Sequence, residues 1–72
     1  MIVANNKKTL GGFYNIYKWT MQDNGAMHQE RICSFYNWED VENYFKGYAL
    51  INNKKVEKQC LKSGSIILSI KE

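Results

Sequence analysis

The spacing of apolar residues changes along the chain, and each change marks an element. From Phe13 to Gln22, β-branched and aromatic side chains predominate, as they do in strands. Asp23, Asn24 and Gly25 follow, and an Asn-Gly pair tolerates the positive φ angles of a two-residue type I′ turn. A hairpin is therefore expected, its second strand running from about Ala26 to Phe35. Beyond it the period lengthens, and Trp38, Val41, Phe45 and Tyr48 fall on one face of a helix. Asn37 is a suitable N-cap, and Asp40 stands where a capping box would place its acidic partner. Glu39, Asp40 and Glu42 set negative charge at the positive end of the helix dipole.

Gly47 is expected at the C′ position that ends the helix, with a strand over 48–51. Asn52 to Lys55 then read as a turn, Val56 to Leu61 as a strand or short helical turn, and Ser63-Gly64 as the bend into a last strand over 65–70. At the other end of the chain, residues 2–4 and 9–10 flank Asn5, Asn6, Lys7 and Lys8 and read as a small hairpin or an irregular lead-in. The order implies an α+β fold: a small antiparallel or mixed sheet, made of the N-terminal hairpin plus C-terminal strands, packed on one α-helix. The 72 residues suffice for a single globular domain.

The hairpin also carries the most specific surface expectation. With a two-residue turn, Met21 faces His28, Trp19 faces Glu30, Tyr17 faces Ile32 and Asn15 faces Ser34 on one side. Gln22 with Met27, Thr20 with Gln29, Lys18 with Arg31, Ile16 with Cys33 and Tyr14 with Phe35 lie on the other. Neither side is cleanly polar, and one helix covers only one side. Tyr17, Trp19 and Met21 are thus the candidate partner-binding stripe, since Trp and Tyr dominate binding hot spots. If that stripe is core, the binding surface lies on the other side, around Tyr14, Lys18 and Arg31.

Composition narrows the setting. The 44% apolar share, with ten aromatic residues, is that of a chain that folds. No run approaches the roughly 18 apolar residues that span a membrane. The N-terminus, with Met1 to Ala4 ahead of Asn5 to Lys8, has the reverse of the basic-then-apolar order of a signal peptide. A cytoplasmic protein is expected, with Cys33 and Cys60 as free, buried thiols. Nine Lys against one Arg, with eight Asn and seven Ile, is the usage of an A/T-rich genome.

No catalytic constellation emerges. His28, the single histidine, has opposite parity to Cys33 in an extended strand, so the two should face opposite sides. Metal-ligand spacing is missing, and neither a metal nor a cofactor is expected. The clustered carboxylates are explained by the helix N-terminus. The net charge of +3 disfavours mimicry of nucleic acid. Lys54, Lys55, Lys58 and Lys62 crowd one stretch and, with Lys7 and Lys8, would make a phosphate-contacting rim if both turns lay at one end of the sheet.

The run 42–72, through Gly47, Leu50, Ile51, Asn52, Lys54, Lys55, Val56, Gly64, Ile66 and Ile67, resembles the second half of a small RNA-binding domain found in ribosomal proteins. Asn53 stands at its turn glycine and Ser65 at its aspartate. That resemblance implies a strand at 48–51 and contact with RNA.

The leading expectation is a non-enzymatic protein, monomeric or a small homo-oligomer, that blocks or regulates a protein partner by occupancy. Accessory proteins of phages and mobile elements, including inhibitors of host defence such as anti-CRISPR proteins, are of this type. The alternative is an RNA- or DNA-binding module that uses Lys54, Lys55, Lys58 and Lys62 with nearby aromatics.

Overall fold

The strand-like and helix-like stretches form the elements their spacing predicts, but they assemble around an unexpected centre. A computed structural model describes residues 1–71. In chain order the elements are β1 (Ile2–Asn5), β2 (Tyr14–Met21), β3 (Met27–Phe35), α1 (Trp38–Ile51), β4 (Glu57–Cys60) and β5 (Ile66–Ile70). The strands make one antiparallel sheet in the order β3-β2-β1-β5-β4, so the fold is α+β with a single helix on a five-stranded sheet. Helix α1 follows one edge strand, β3, and leads to the other, β4.

The N-terminal run expected as a small hairpin or an irregular lead-in is the central strand. β1 pairs with β2 through Ile2↔Lys18 and Ala4↔Ile16, and with β5 through Ile2↔Ile70 and Ala4↔Leu68. Its alternation is that of a strand with one covered face: Ile2 and Ala4 are buried and Val3 is half-exposed. Ile2, Ala4, Ile16, Leu68 and Ile70 form the sheet side of the core, and Val41, Phe45 and Ala49 form the helix side. Each of the larger side chains contributes about 1.5–3 kcal/mol on full burial. Trp38 closes the margin against Tyr14, ring centroids 5.3 Å apart, and Tyr44 does the same against Phe35 at 5.9 Å.

The helix does not stop at Gly47. It runs through Tyr48 and Ala49 to Ile51, which removes the strand expected at 48–51 and with it the arrangement the RNA-binding resemblance implied. Burying Ala49, four residues beyond Phe45 on the same face, and packing Tyr48 against the core together offset the roughly 1 kcal/mol helix penalty of one glycine. The termination is at Asn52 and Asn53: Lys54 N–H donates to Ala49 O at 2.8 Å and Asn53 N–H to Leu50 O at 3.4 Å. This is the Schellman pattern, with Asn53 at φ +54° in the position glycine usually takes. At the other end Asn37 holds the extended N-cap conformation, yet its side chain makes no capping hydrogen bond.

One loop design recurs. Around the hairpin, Gln22 N–H donates to Ala26 O at 2.8 Å and Gly25 N–H to Gln22 O at 2.9 Å. Thr9 to Phe13 and Leu61 to Ser65 repeat both bonds, with Gly12 and Gly64 in the place of Gly25. Each glycine has φ between +82° and +88°. The hairpin loop is therefore Asp23-Asn24-Gly25, three residues with glycine in the left-handed region, not a two-residue Asn-Gly turn. The longer loop shifts the pairing near the tip to Trp19↔Gln29 and Met21↔Met27. At the base Tyr14↔Phe35 and Ile16↔Cys33 keep the expected register, and a bulge that leaves Ile32 out of the ladder absorbs the difference.

These backbone assignments predict opposite responses to the same substitution. Gly47→Ala should raise stability by up to about 1 kcal/mol, since a Cβ there meets nothing within 4 Å in a helical interior. Gly25→Ala should lower it by about 1 kcal/mol through the left-handed conformation alone, and Gly25→Asn by less. Urea unfolding of the three variants beside the parent checks both signs; a destabilising Gly47→Ala would return the helix end to that residue.

Candidate functional site

Face assignment follows from register. Tyr17, Trp19 and Met21 alternate with buried Ile16 along β2, so they point away from the helix, onto a side of the sheet that no element covers among the described residues. Tyr17 sits between Arg31 and Val3, and Trp19 lies opposite Gln29. The stripe is graded, with Tyr17 and Trp19 half-buried and Met21 69% exposed. Met27, across from Met21, is 51% exposed and widens the apolar end. Around this centre stand Asn5, Asn15, Gln29 and Ser34.

Beyond Trp19 the hairpin outruns the sheet. Trp19 is held to the N-terminus by paired bonds, Trp19 N–H to Met1 O at 2.8 Å and the Met1 ammonium to Trp19 O at 3.0 Å. Every residue from Thr20 to Ile32 is exposed. The tip is thus an arm held only by its own ladder, presenting Met21 and Met27 on one side and Thr20 and His28 on the other.

At the base of the stripe the polar groups are tied together. Ser34 Oγ donates to Asn15 Oδ1 at 2.6 Å, and Asn15 Nδ2 donates to the Tyr17 hydroxyl at 3.1 Å. Asn5 Oδ1 accepts from the Lys7 backbone N–H at 3.0 Å. Between them lies a depression of about 240 Å³ bordered by Val3, Asn5, Lys7, Thr9, Tyr17 and Trp19. The Thr9 hydroxyl is buried there without a hydrogen-bond partner, an arrangement that costs roughly 1–3 kcal/mol until one is supplied.

The remaining candidates are dispersed. Lys54 and Lys55 precede β4, whose first residue lies opposite Ser69 near the end of β5, whereas Lys7 and Lys8 follow β1, whose last residue lies opposite Ile67 near its start. The two lysine-bearing turns are therefore at opposite ends of the sheet. Lys62, in the loop joining β4 and β5, shares the end of Lys7 and Lys8. Lys58 lies opposite buried Leu68, on the helix side of β4. No single rim collects these charges.

The bulge also changes the parity argument. His28 pairs with Thr20 and Cys33 with Ile16, so both face the helix side rather than opposite sides. They remain four β2 residues apart, about 13 Å along the strand. Cys33 is half-buried on β3, and Cys60 is exposed on β4, contrary to the expectation that both thiols are buried; an edge strand beyond the helix gives Cys60 little cover. Four strand spacings of about 4.8 Å separate the two edges, which precludes a disulfide within one chain. On the covered side, burial and then the Cys33 charge push the Tyr44 phenol above its ordinary value of 10.0, so it stays a neutral packing group at neutral pH.

Among the described residues no three His, Cys, Asp or Glu side chains converge as metal ligands, and no helix is long and apolar enough to cross a membrane. No protein family, curated protein or solved structure matches this chain.

Contact with the core separates the aromatic residues by role: Phe45 lies in it, Trp38 packs against it, and Trp19 lies on the uncovered face. Phe45→Ala should cost about 3–5 kcal/mol and leave the chain unfolded or nearly so. Trp38→Ala should weaken it severely, and Trp19→Ala, on the face away from the helix, should leave it folded. Circular dichroism melts of the three variants give the ranking. Binding to homopolymer RNA should be weak and lost by physiological ionic strength, because the lysines are split between two ends. Salt-dependent titration checks this, and tight binding at that ionic strength, abolished by Lys54, Lys55 and Lys58 each changed to Glu, would establish a nucleic-acid interface.

Proposed function

We propose that this chain is a non-enzymatic binding protein that docks onto a protein partner through the open sheet face and hairpin arm, and blocks or regulates it by occupancy. The observation that carries this reading is the stripe of Tyr17, Trp19 and Met21 on the uncovered face, continued by Met27 and bordered by amides and hydroxyls. Aromatic anchors within a polar surround are the usual anatomy of a protein interface. Methionines at the projecting end add adaptable apolar surface.

A short chain with this codon-biased usage fits the accessory proteins of phages and mobile elements, among them inhibitors of host defence. Two free thiols on opposite edges fit a reducing compartment, and we assign the protein to the cytoplasm.

The test compares the parent with Met21→Glu and Trp19→Ala, each confirmed folded, as immobilised baits in nuclease-treated lysate. A protein retained by the parent and lost from both variants is the expected result. Retention that is indifferent to both substitutions, or that disappears on nuclease treatment, would overturn the proposal.

A further inference from the structure

The outer edge of β3 presents a second surface, which adjoins the open face at Arg31 and Ser34. Its backbone valences follow from the ladder. Because Trp19 exchanges both of its hydrogen bonds with Met1 on the β1 side, antiparallel alternation turns Lys18, Ile16 and Tyr14 toward β3. Their partners Cys33 and Phe35 are then turned inward, and the N–H and C=O of Ser34, between them, point outward. β3 is an edge strand of nine residues, twice the length of β4 at the opposite edge.

A cleft of about 380 Å³ runs along this stretch. Phe13, Ile32, Phe35 and Tyr36 give it hydrophobic walls, with Phe13 and Tyr36 in edge contact at 6.2 Å, while Arg31, Ser34 and the strand backbone make the rest of its lining polar. Arg31 supplies its only full charge, since Glu30 lies opposite Lys18 on the helix side. The bulge at Ile32 interrupts regular pairing and restricts addition to the short stretch beside the cleft.

We propose that this edge binds an extended segment of another protein by strand addition, with an apolar side chain in the cleft and an acidic residue against Arg31. The open backbone valence of Ser34 selects an extended main chain, the cleft selects one large apolar side chain, and the guanidinium selects the charge. A second copy of this chain fits less well. Antiparallel self-pairing centred on Ser34 sets Arg31 opposite Asn37 and so gives the guanidinium no acidic partner.

The probe is the capped peptide acetyl-Thr-Phe-Thr-Asp-Thr-amide, whose Phe and Asp share one face when extended. It is titrated into ¹⁵N-labelled protein with no other partner present, so the outcome is independent of the open-face reading. The expected result is a set of amide shifts confined to residues 31–36 and Phe13. Arg31→Glu in the protein, or Lys for Asp in the peptide, should weaken binding about tenfold. Methylating alternate peptide nitrogens should abolish it in one of the two registers. Absence of binding, shifts centred on Tyr17 and Trp19, or indifference to N-methylation in both registers would overturn the proposal. So would concentration-dependent shifts at 31–36 in the protein alone, which would make a second copy the occupant.

Discussion

Everything in this fold hangs on one helix covering one face of one sheet. Phe45, fully buried, sits with Val41 and Ala49 against Ile2, Ile16, Leu68 and Ile70. Among the described residues no second layer backs the sheet, so the stability of all five strands is drawn from that interface and the ladders beside it. The helix accordingly runs past Gly47 to bring Ala49 into the same row.

The same economy leaves a great deal uncovered. A helix of fourteen residues is about 21 Å long and roughly 10 Å across, narrower than five strands at about 4.8 Å each. The reverse face of the sheet, the distal hairpin and both edges therefore remain available. Their chemistry differs. The reverse face carries Tyr17 and Trp19, the arm carries Met21 and Met27, and the β3 edge carries outward backbone groups beside a cleft with hydrophobic walls and Arg31. At the far edge β4 is short and bears Lys58 and Glu57, which are the usual means of blunting an exposed strand.

Two small backbone features decide how these surfaces are composed. The three-residue loop closed by Gly25 shifts the hairpin tip by one position, and the Ile32 bulge restores the register at the base. The β2 stripe keeps its face in either register, because β2 itself is unbroken. Its neighbours change: Trp19 faces Gln29 instead of Glu30, and Met21 faces Met27 instead of His28. The arm becomes a methionine-tipped apolar surface, and Arg31 comes to stand beside the cleft.

The β-branched and aromatic run along 13–22, the loop residues that follow, and the helical spacing of Val41 and Phe45 were legible because each depends on neighbours a few positions away. These determined the elements, the α+β class and the parity that puts Tyr17, Trp19 and Met21 on one side. The central place of β1 was not legible, since Ile2 meets Lys18 on one side and Ile70 on the other, and no local pattern encodes partners so distant in the chain. The helix end was misread for a related reason: glycine's local preference favours a stop, and only contact with the sheet rewards continuing to Ala49. The separation of the lysine-bearing turns likewise followed from strand order alone. Local stereochemistry thus set what each segment became, and the shared burial of segments far apart in the chain set where each one went.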